Sequence, residues 1–422
     1  MKKNVCCLVV VFLMLIPVFS LAETIVWGDW MLSEDAYAPI YQAMVDSYTS
    51  THPENTVETY YTPYSAYLDQ LLVAAAAGNA PDVVHIKAEW LPQFLELGVV
   101  KDIYPYVSPE ILADYNPTAL EPVKDGDKLL GLPWFTNTYA LLYNKELLKK
   151  AGITELPQTL DELFDDAEKI AALGSDEAGN KIYGIAFANS NLERGEGYNI
   201  LPVLWGYGGD FQDSDGRISL TDEAAVKTFT QIQKMYLNNI SPVGGSFKDI
   251  RNLFGQGLIG FYWDGSAGIV PAATASGDPE SFYAITGATV IPSGDNPAGY
   301  GYLSDRYMIV FNSVPDEKMP AVVEFMEYMS GSECIGILYD NKQGKMSSRT
   351  SVMEEVYANV DDEVDKAYVE AMKTALPLPS GNLRFMDADE CLTNALIRLA
   401  QGEDVQTVLT DTEAKIQALY DE

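Results

Sequence analysis

Residues 71–84, Leu71-Leu72-Val73-Ala74-Ala75-Ala76-Ala77-Gly78-Asn79-Ala80-Pro81-Asp82-Val83-Val84, read as a helix, a stop and a strand in immediate succession. Tyr67, Leu68, Leu71, Leu72 and Ala75 recur at helical spacing. Gly78 can take the left-handed conformation that ends a helix, and Pro81 cannot continue one. Asp82–Ile86 is then a short apolar run of the kind that is buried on both faces of a sheet. Upstream, Thr24–Trp27 and Thr56–Tyr60 are β-prone runs, separated by a helical stripe of Tyr37, Ile40, Tyr41, Met44, Val45 and Tyr48. The same grammar returns after residue 134. Thr159-Leu160-Asp161-Glu162 is a capping box opening a helix with Leu163, Phe164, Ala167 and Ile170 on one face. Tyr183–Phe187, Leu258–Trp263 and Tyr307–Phe311 read as strands, Asp222–Leu237 as a helix, and the C-terminal region as mostly helical. This alternation predicts an α/β protein with parallel sheets flanked by helices. No short-period repeat and no low-complexity linker divides the chain, so two lobes sharing crossovers are expected.

The 422 residues allow two or three domains, and 47% hydrophobic residues are enough to fill their cores. With 27 Lys+Arg against 61 Asp+Glu, the formal charge of −34 repels nucleic acid and anionic membranes. Two histidines leave little room for a His-rich metal site.

Met1-Lys2-Lys3-Asn4, an apolar run from Val5 to Phe19, and Ser20-Leu21-Ala22 form a cleavable secretory signal, residues 1–22. The run is shorter than the ~20 residues that span a bilayer comfortably. Cys6 and Cys7 sit early in it, whereas a lipidated N-terminus needs its Cys at the cleavage point, so no lipid anchor is expected. Cys334 and Cys391 remain after cleavage, both on apolar helical faces; an oxidising compartment would permit a disulfide between them, and buried free thiols are the preferred reading.

Catalytic and cofactor signatures are thin. Asp213-Ser214-Asp215-Gly216 lacks the Glu that closes a calcium loop and reads as a turn before a strand at Arg217–Leu220. Gly206-Tyr207-Gly208-Gly209 lacks dinucleotide spacing, and Gly255-Gln256-Gly257 lacks a phosphate cradle. Neither His52 nor His85 lies in a nucleophile motif. No cofactor and no catalytic residue is expected.

A different constellation stands at the expected strand ends. Trp27, Asp29 and Trp30 follow the first strand, and Lys87, Glu89 and Trp90 the third. Trp134 and Asn137 lie by the lobe crossover, and Trp263 and Asp264 end a strand of the second half. Ligands of open α/β sheets collect at the carboxyl ends of strands. Indole rings can stack on the C–H face of a sugar, while Asp, Glu, Asn and Lys bond its hydroxyls. Each Trp is equally well explained as core, but the set points to a cleft.

Four blocks carry a family resemblance. The segment Leu71–Val84 is similar to an Ala-rich helix, Gly-Asn-x-Pro-Asp turn and strand of the family 1 extracellular solute-binding proteins, the carbohydrate receptors of bacterial ABC importers. Leu132-Pro133-Trp134 with Leu142-Tyr143-Asn144-Lys145 and the following helix resembles that family's Tyr-Asn-Lys block. Pro157-Gln158-Thr159-Leu160-Asp161-Glu162-Leu163 resembles its Pro-x-Thr-Trp-Asp-Glu-Leu block, with Leu160 in place of Trp. Phe254-Gly255-Gln256-Gly257 leads into a strand as in the family, although Ala267 stands where a Trp is usual.

The resemblance implies a two-lobe periplasmic-binding-protein fold, each lobe a sheet flanked by helices, with a ligand cleft at the hinge. The expected lobes are residues 23–133 with 283–329, and residues 134–282 with 330–422. It also implies a periplasmic, monomeric, non-enzymatic receptor that closes on an oligosaccharide and delivers it to ABC permease subunits. Asn137 and Tyr198 fall where relatives place ligand contacts, and Arg384 and Phe385 are late candidates. A receptor for a cationic solute such as a polyamine remains open, on Asp29, Asp35, Glu89 and Asp264. So does a secreted carbohydrate-active enzyme.

Overall fold

The computed structural model describes residues 23–190, 192, 194–294, 300–358 and 360–422, and the expected signal segment lies outside them. Strands β1 (Thr24–Gly28), β2 (Thr56–Tyr60) and β3 (Val83–Lys87) form where the apolar runs predict them. The helix Tyr64–Ala76 precedes β3 and stops as read: Gly78 adopts φ 73°, and the amides of Gly78 and Asn79 return to Ala75 and Ala74. Asp82 then anchors the turn, its Oδ2 accepting from the Val26 amide and the Lys318 ammonium, each at 2.6 Å.

A small hairpin, β4 (Lys124–Asp125) and β5 (Lys128–Leu129), leads into the long strand β6 (Leu132–Asn144). The remaining strands are β7 (Tyr183–Ile185), β8 (Ile259–Gly265), β9 (Thr286–Thr289), β10 (Tyr302–Val310), β11 (Met346–Ser347) and β12 (Leu376–Pro377). Among the described residues the main ladder runs β2-β1-β3-β10-β6-β8-β7, with β9 and β11 also on β6 and β12 on β10.

The pairing is parallel in β1–β2, β1–β3 and β7–β8, as strand–helix alternation demands. It is antiparallel wherever β6 or β10 takes part in the main ladder, so the sheet is mixed rather than parallel throughout. The reason is topological, because β6 crosses from one lobe to the other. Its first half pairs with β10 up to Thr138, and its second half pairs with β8 and β9 from Tyr139 onward. Two α/β lobes therefore share a continuous ladder at the hinge. Two segments pack away from the lobe expected for them. β9 lies on the second half of β6, and the helix Ser332–Asp340 packs on the helix Ala38–Thr51, where Ser47 bonds Glu333 at 3.2 Å.

Local chemistry sets the other elements. Thr159 and Glu162 exchange the expected capping-box bonds at 3.2 and 3.3 Å, an arrangement worth ~1 kcal/mol. Asp213 Oδ1 accepts the amides of Asp215 and Arg217, both at 2.9 Å, making the expected turn with Gly216 at φ 78°. The strand expected after it shrinks to an isolated Gln212–Ile218 bridge, since among the described residues no other strand pairs with it. Cys334 and Cys391 are free; Cys334 is buried as expected and Cys391 half-buried. Among the described residues no helix is long and apolar enough to cross a membrane.

Candidate functional site

The carboxyl end of β3 delivers Lys87, and the turn Ala88–Trp90 that follows delivers Glu89 and Trp90. Lys87 Nζ lies 3.0 Å from Glu89 Oε1 and donates to the hydroxyls of Tyr64 at 2.9 Å and Tyr198 at 3.3 Å. The Tyr198 hydroxyl donates to the same Glu89 oxygen at 2.8 Å. Tyr198 belongs to the second lobe, so this knot ties the two lobes together. Burial is the largest single influence and disfavours the Lys87 ammonium, but Glu89 together with Tyr64 and Tyr139 outweighs it, and the amine titrates above its ordinary range. Burial likewise opposes the Glu89 carboxylate, yet Lys87 and Arg306 hold it below its usual range.

Arg306 stands opposite Lys87 in the β3–β10 register. Its Nη1 donates to the Ser304 carbonyl at 2.9 Å and hydroxyl at 2.6 Å. Beside it, Asp305 accepts from Thr136 at 2.5 Å, and burial raises its carboxyl. Aromatic rings wall the site. Tyr139 and Tyr302 stack at 3.8 Å, Tyr198 meets Tyr302 edge-on at 5.5 Å, and Trp30, Trp90 and Tyr64 form a second group within 5.8 Å of one another.

Several buried polar atoms of this region have no partner among the described residues: Glu89 Oε2, Asn137 Oδ1, Arg306 Nε, Trp90 Nε1 and Ser266 Oγ. Buried donors and acceptors are costly to leave unmade, and grouped beside stacked rings they mark a place for a polar ligand. Further bonds cross the cleft, from the Tyr37 hydroxyl to the Ala267 carbonyl at 2.7 Å and from Tyr64 to the Arg194 carbonyl at 3.1 Å. Arg194 also pairs with Asp69 at 3.0 Å.

The structure joins Lys87, Glu89 and Tyr198 directly, sets Asn137 beside Ser304 on the adjoining strand, and brings in Trp30 through Trp90. It places Asp29 one step deeper, accepting from His85 Nδ1 at 2.9 Å and from the Met31 amide at 2.8 Å. Burial lowers the His85 pKa to about 4, so the imidazole is neutral near pH 7. Trp27 and Trp134 instead pack into the first lobe's core with Tyr41, and the Trp134 indole donates to the Met329 carbonyl at 2.8 Å. Trp263 packs on Phe187 and donates to the Asn199 carbonyl at 2.8 Å. Asp264 is clasped by Arg251 through two bonds of 2.7 and 2.9 Å. Arg384 lies at the surface between Asp387 and Glu422. These five stand outside the knot: a place on a strand does not set the face to which Trp27, Trp134, Trp263 and Asp264 point, and Arg384 sits at the start of the helix Phe385–Ala400.

Sequence reasoning passed over Tyr64, Tyr139, Tyr302 and Arg306. Tyr139 was within reach: it is two residues after Asn137, on the same face of a strand once 132–144 is read as one. It also passed over Asp389, whose carboxylate accepts the amides of Gly195 at 2.6 Å and Tyr198 at 2.9 Å and so fixes the turn that presents Tyr198.

Residues 33–333 match the family model described as bacterial extracellular solute-binding protein. The chain belongs to that family. A putative binding protein of Brucella abortus (strain 2308) is 27% identical over 320 residues, covering 74% of this chain and 75% of its own. The maltotriose-binding protein of Pyrococcus abyssi is 25% identical over 221 residues, 52% of this chain and 43% of that protein. Among solved structures, the GacH receptor of Streptomyces glaucescens, determined unliganded and with acarbose, aligns with a TM-score of 0.81 at 22% identity. That alignment covers 95% of this chain and 99% of the receptor, and it shows the two-lobe fold of this solute-binding protein.

Proposed function

We propose that this protein is the extracellular receptor of an ABC importer, capturing a sugar of oligosaccharide size by lobe closure and handing it to membrane permease subunits. It acts as a monomer in the periplasm and performs no chemistry on its ligand. The observation that carries the reading is the interlobe knot of Lys87, Glu89 and Tyr198, with unpartnered Glu89 Oε2, Asn137 Oδ1 and Arg306 Nε beside the Tyr139–Tyr302 stack. Acceptors, donors and flat rings in one cleft suit hydroxyls and C–H faces together. The sugar ligands named for the Pyrococcus and Streptomyces proteins support the same class.

The carboxylates behind a cationic-solute reading are otherwise engaged. Asp29 is held by His85 and Asp264 by Arg251, and Asp35 is exposed. Glu89, whose Oε2 has no partner among the described residues, already faces the buried cations Lys87 and Arg306. An enzyme would need a buried acid placed in the cleft to give its proton. Asp389, raised to about 6 by burial, has both oxygens on backbone amides. Asp365, on the helix Glu363–Met372 and also raised to about 6, faces Lys342 at 4.0 Å.

Closure can be driven only by a ligand's preference for the closed state, where both lobes touch it. The test is a thermal-shift and calorimetric screen of sugars and polyamines, followed by small-angle scattering on any hit. A binding sugar at 100 times its dissociation constant adds about 2.7 kcal/mol of stability and reduces the radius of gyration. Binding of polyamines alone, or sugar binding at an unchanged radius, overturns the proposal.

A further inference from the structure

We propose that the captured sugar carries an anionic substituent, a carboxylate or a phosphate ester, received by Arg306 and Lys345. This rests on the sugar-receptor reading above. The chain has 61 acidic against 27 basic residues, so a buried cation without a carboxylate partner is an anomaly here. Two lie buried beside the contacts between the lobes. Lys345 is fully buried, its ammonium bonded to the Tyr41 hydroxyl and lying over the rings of Phe135 at 4.7 Å, Tyr41 at 4.8 Å and Tyr37 at 5.8 Å. Arg306 is 5% exposed, and among the described residues its Nη1 bonds only to Ser304 and the Asp305 carbonyl and its Nε has no partner. Neither makes an ion pair among the described residues.

The two cations flank one residue. Phe135 on β6 is opposite Arg306 on β10 and opposite Ser347 on β11, two residues after Lys345. The Arg306 charge therefore opposes the Lys345 ammonium. Burial and Arg306 bring the Lys345 amine down to about 7, with Asp29 and Glu34 pulling the other way. His85, Tyr37 and Tyr41 complete the titratable surroundings. The nearby acids are otherwise occupied: Asp29 accepts from His85 and the Met31 amide, Glu89 pairs with Lys87, and Asp305 accepts from Thr136.

A hydroxyl would satisfy Arg306 Nε but leave both cations without an anionic group in contact, whereas an anion meets the vacant donor and relieves the repulsion. The place adjoins the interlobe contacts, because Tyr37, one of the rings around Lys345, donates to the Ala267 carbonyl of the opposite lobe. Ser266 Oγ, unpartnered and 3.3 Å from where a Cβ of Gly344 would sit, adds a neutral donor alongside.

The experiment is isothermal titration of the full secreted chain with galacturonate and glucuronate oligosaccharides, glucose 6-phosphate, and the neutral parent sugars. At pH 6.5 an acidic sugar should bind at least tenfold more tightly than its neutral parent, and the carboxylate and phosphate arms show which anion is read. Lys345→Met should abolish that preference and Lys345→Arg retain most of it, with ligand-free melting curves confirming that both variants fold. The preference should also shrink from pH 6.5 to 8.5 as the amine loses its proton. Neutral sugars binding as well as acidic ones, or a preference unchanged in Lys345→Met, overturns the inference and leaves the receptor reading intact. Failure of every sugar, neutral and acidic, overturns both.

Discussion

Replacing Asp389 by Asn separates the charge of a buried carboxylate from its shape. Asp389 is buried in the helix Phe385–Ala400, and burial raises its pKa from 3.8 to about 6. A pKa raised by folding means the native state binds the proton more tightly. The resulting stability is present in full below pH ~4 and lost as the pH rises through about 6. Two pKa units correspond to about 3 kcal/mol. The Asn variant has no such titration, so wild-type stability relative to it should fall by about 3 kcal/mol between pH 4 and pH 7. The offset between the two proteins is less informative. Asn relieves the buried charge but turns an N–H₂ toward one of the Gly195 and Tyr198 amides, a loss of about 1–3 kcal/mol. Urea unfolding followed by tryptophan fluorescence at pH 4, 5, 6 and 7 measures the difference directly. Curves that stay parallel across that range would refute a carboxylate held at about 6 by its burial.

Three further outcomes follow from the geometry. Asp264→Ala leaves the Arg251 guanidinium without its bidentate partner and should cost about 3 kcal/mol or more by chemical denaturation. Gly197→Ala puts a methyl 2.3 Å from the Asp389 carbonyl oxygen, which backbone packing cannot yield, and should lower stability by about 1–3 kcal/mol in a melting experiment. Tyr139→Ala removes one face of the Tyr139–Tyr302 stack, so calorimetry should show sugar affinity weakened by roughly tenfold, and an unchanged dissociation constant would remove the ring from the site.

Much of the architecture was legible because it is local. The helix–Gly–Pro–strand grammar of residues 64–87, the Thr159–Glu162 capping box and the Asp213 turn each depend on residues a few positions apart, and each formed where it was read. Lys87 and Glu89 were legible for the same reason, since a strand end followed by a short turn sets both beside the cleft. Nothing local reveals that β6 serves both lobes or that β10 runs against its neighbours, because those facts belong to pairing between segments far apart in sequence. The fates of the tryptophans show the same limit. Trp27, Trp134 and Trp263 carry the same chemistry as Trp30, but which face of its strand each occupies, and what covers that face, is decided by packing. By itself the sequence determined the class and family of the fold and several of its local elements. Only the tertiary structure decided which side chains meet, because Tyr198, Arg306 and Lys345 reach Lys87, Glu89 and Phe135 through folding alone.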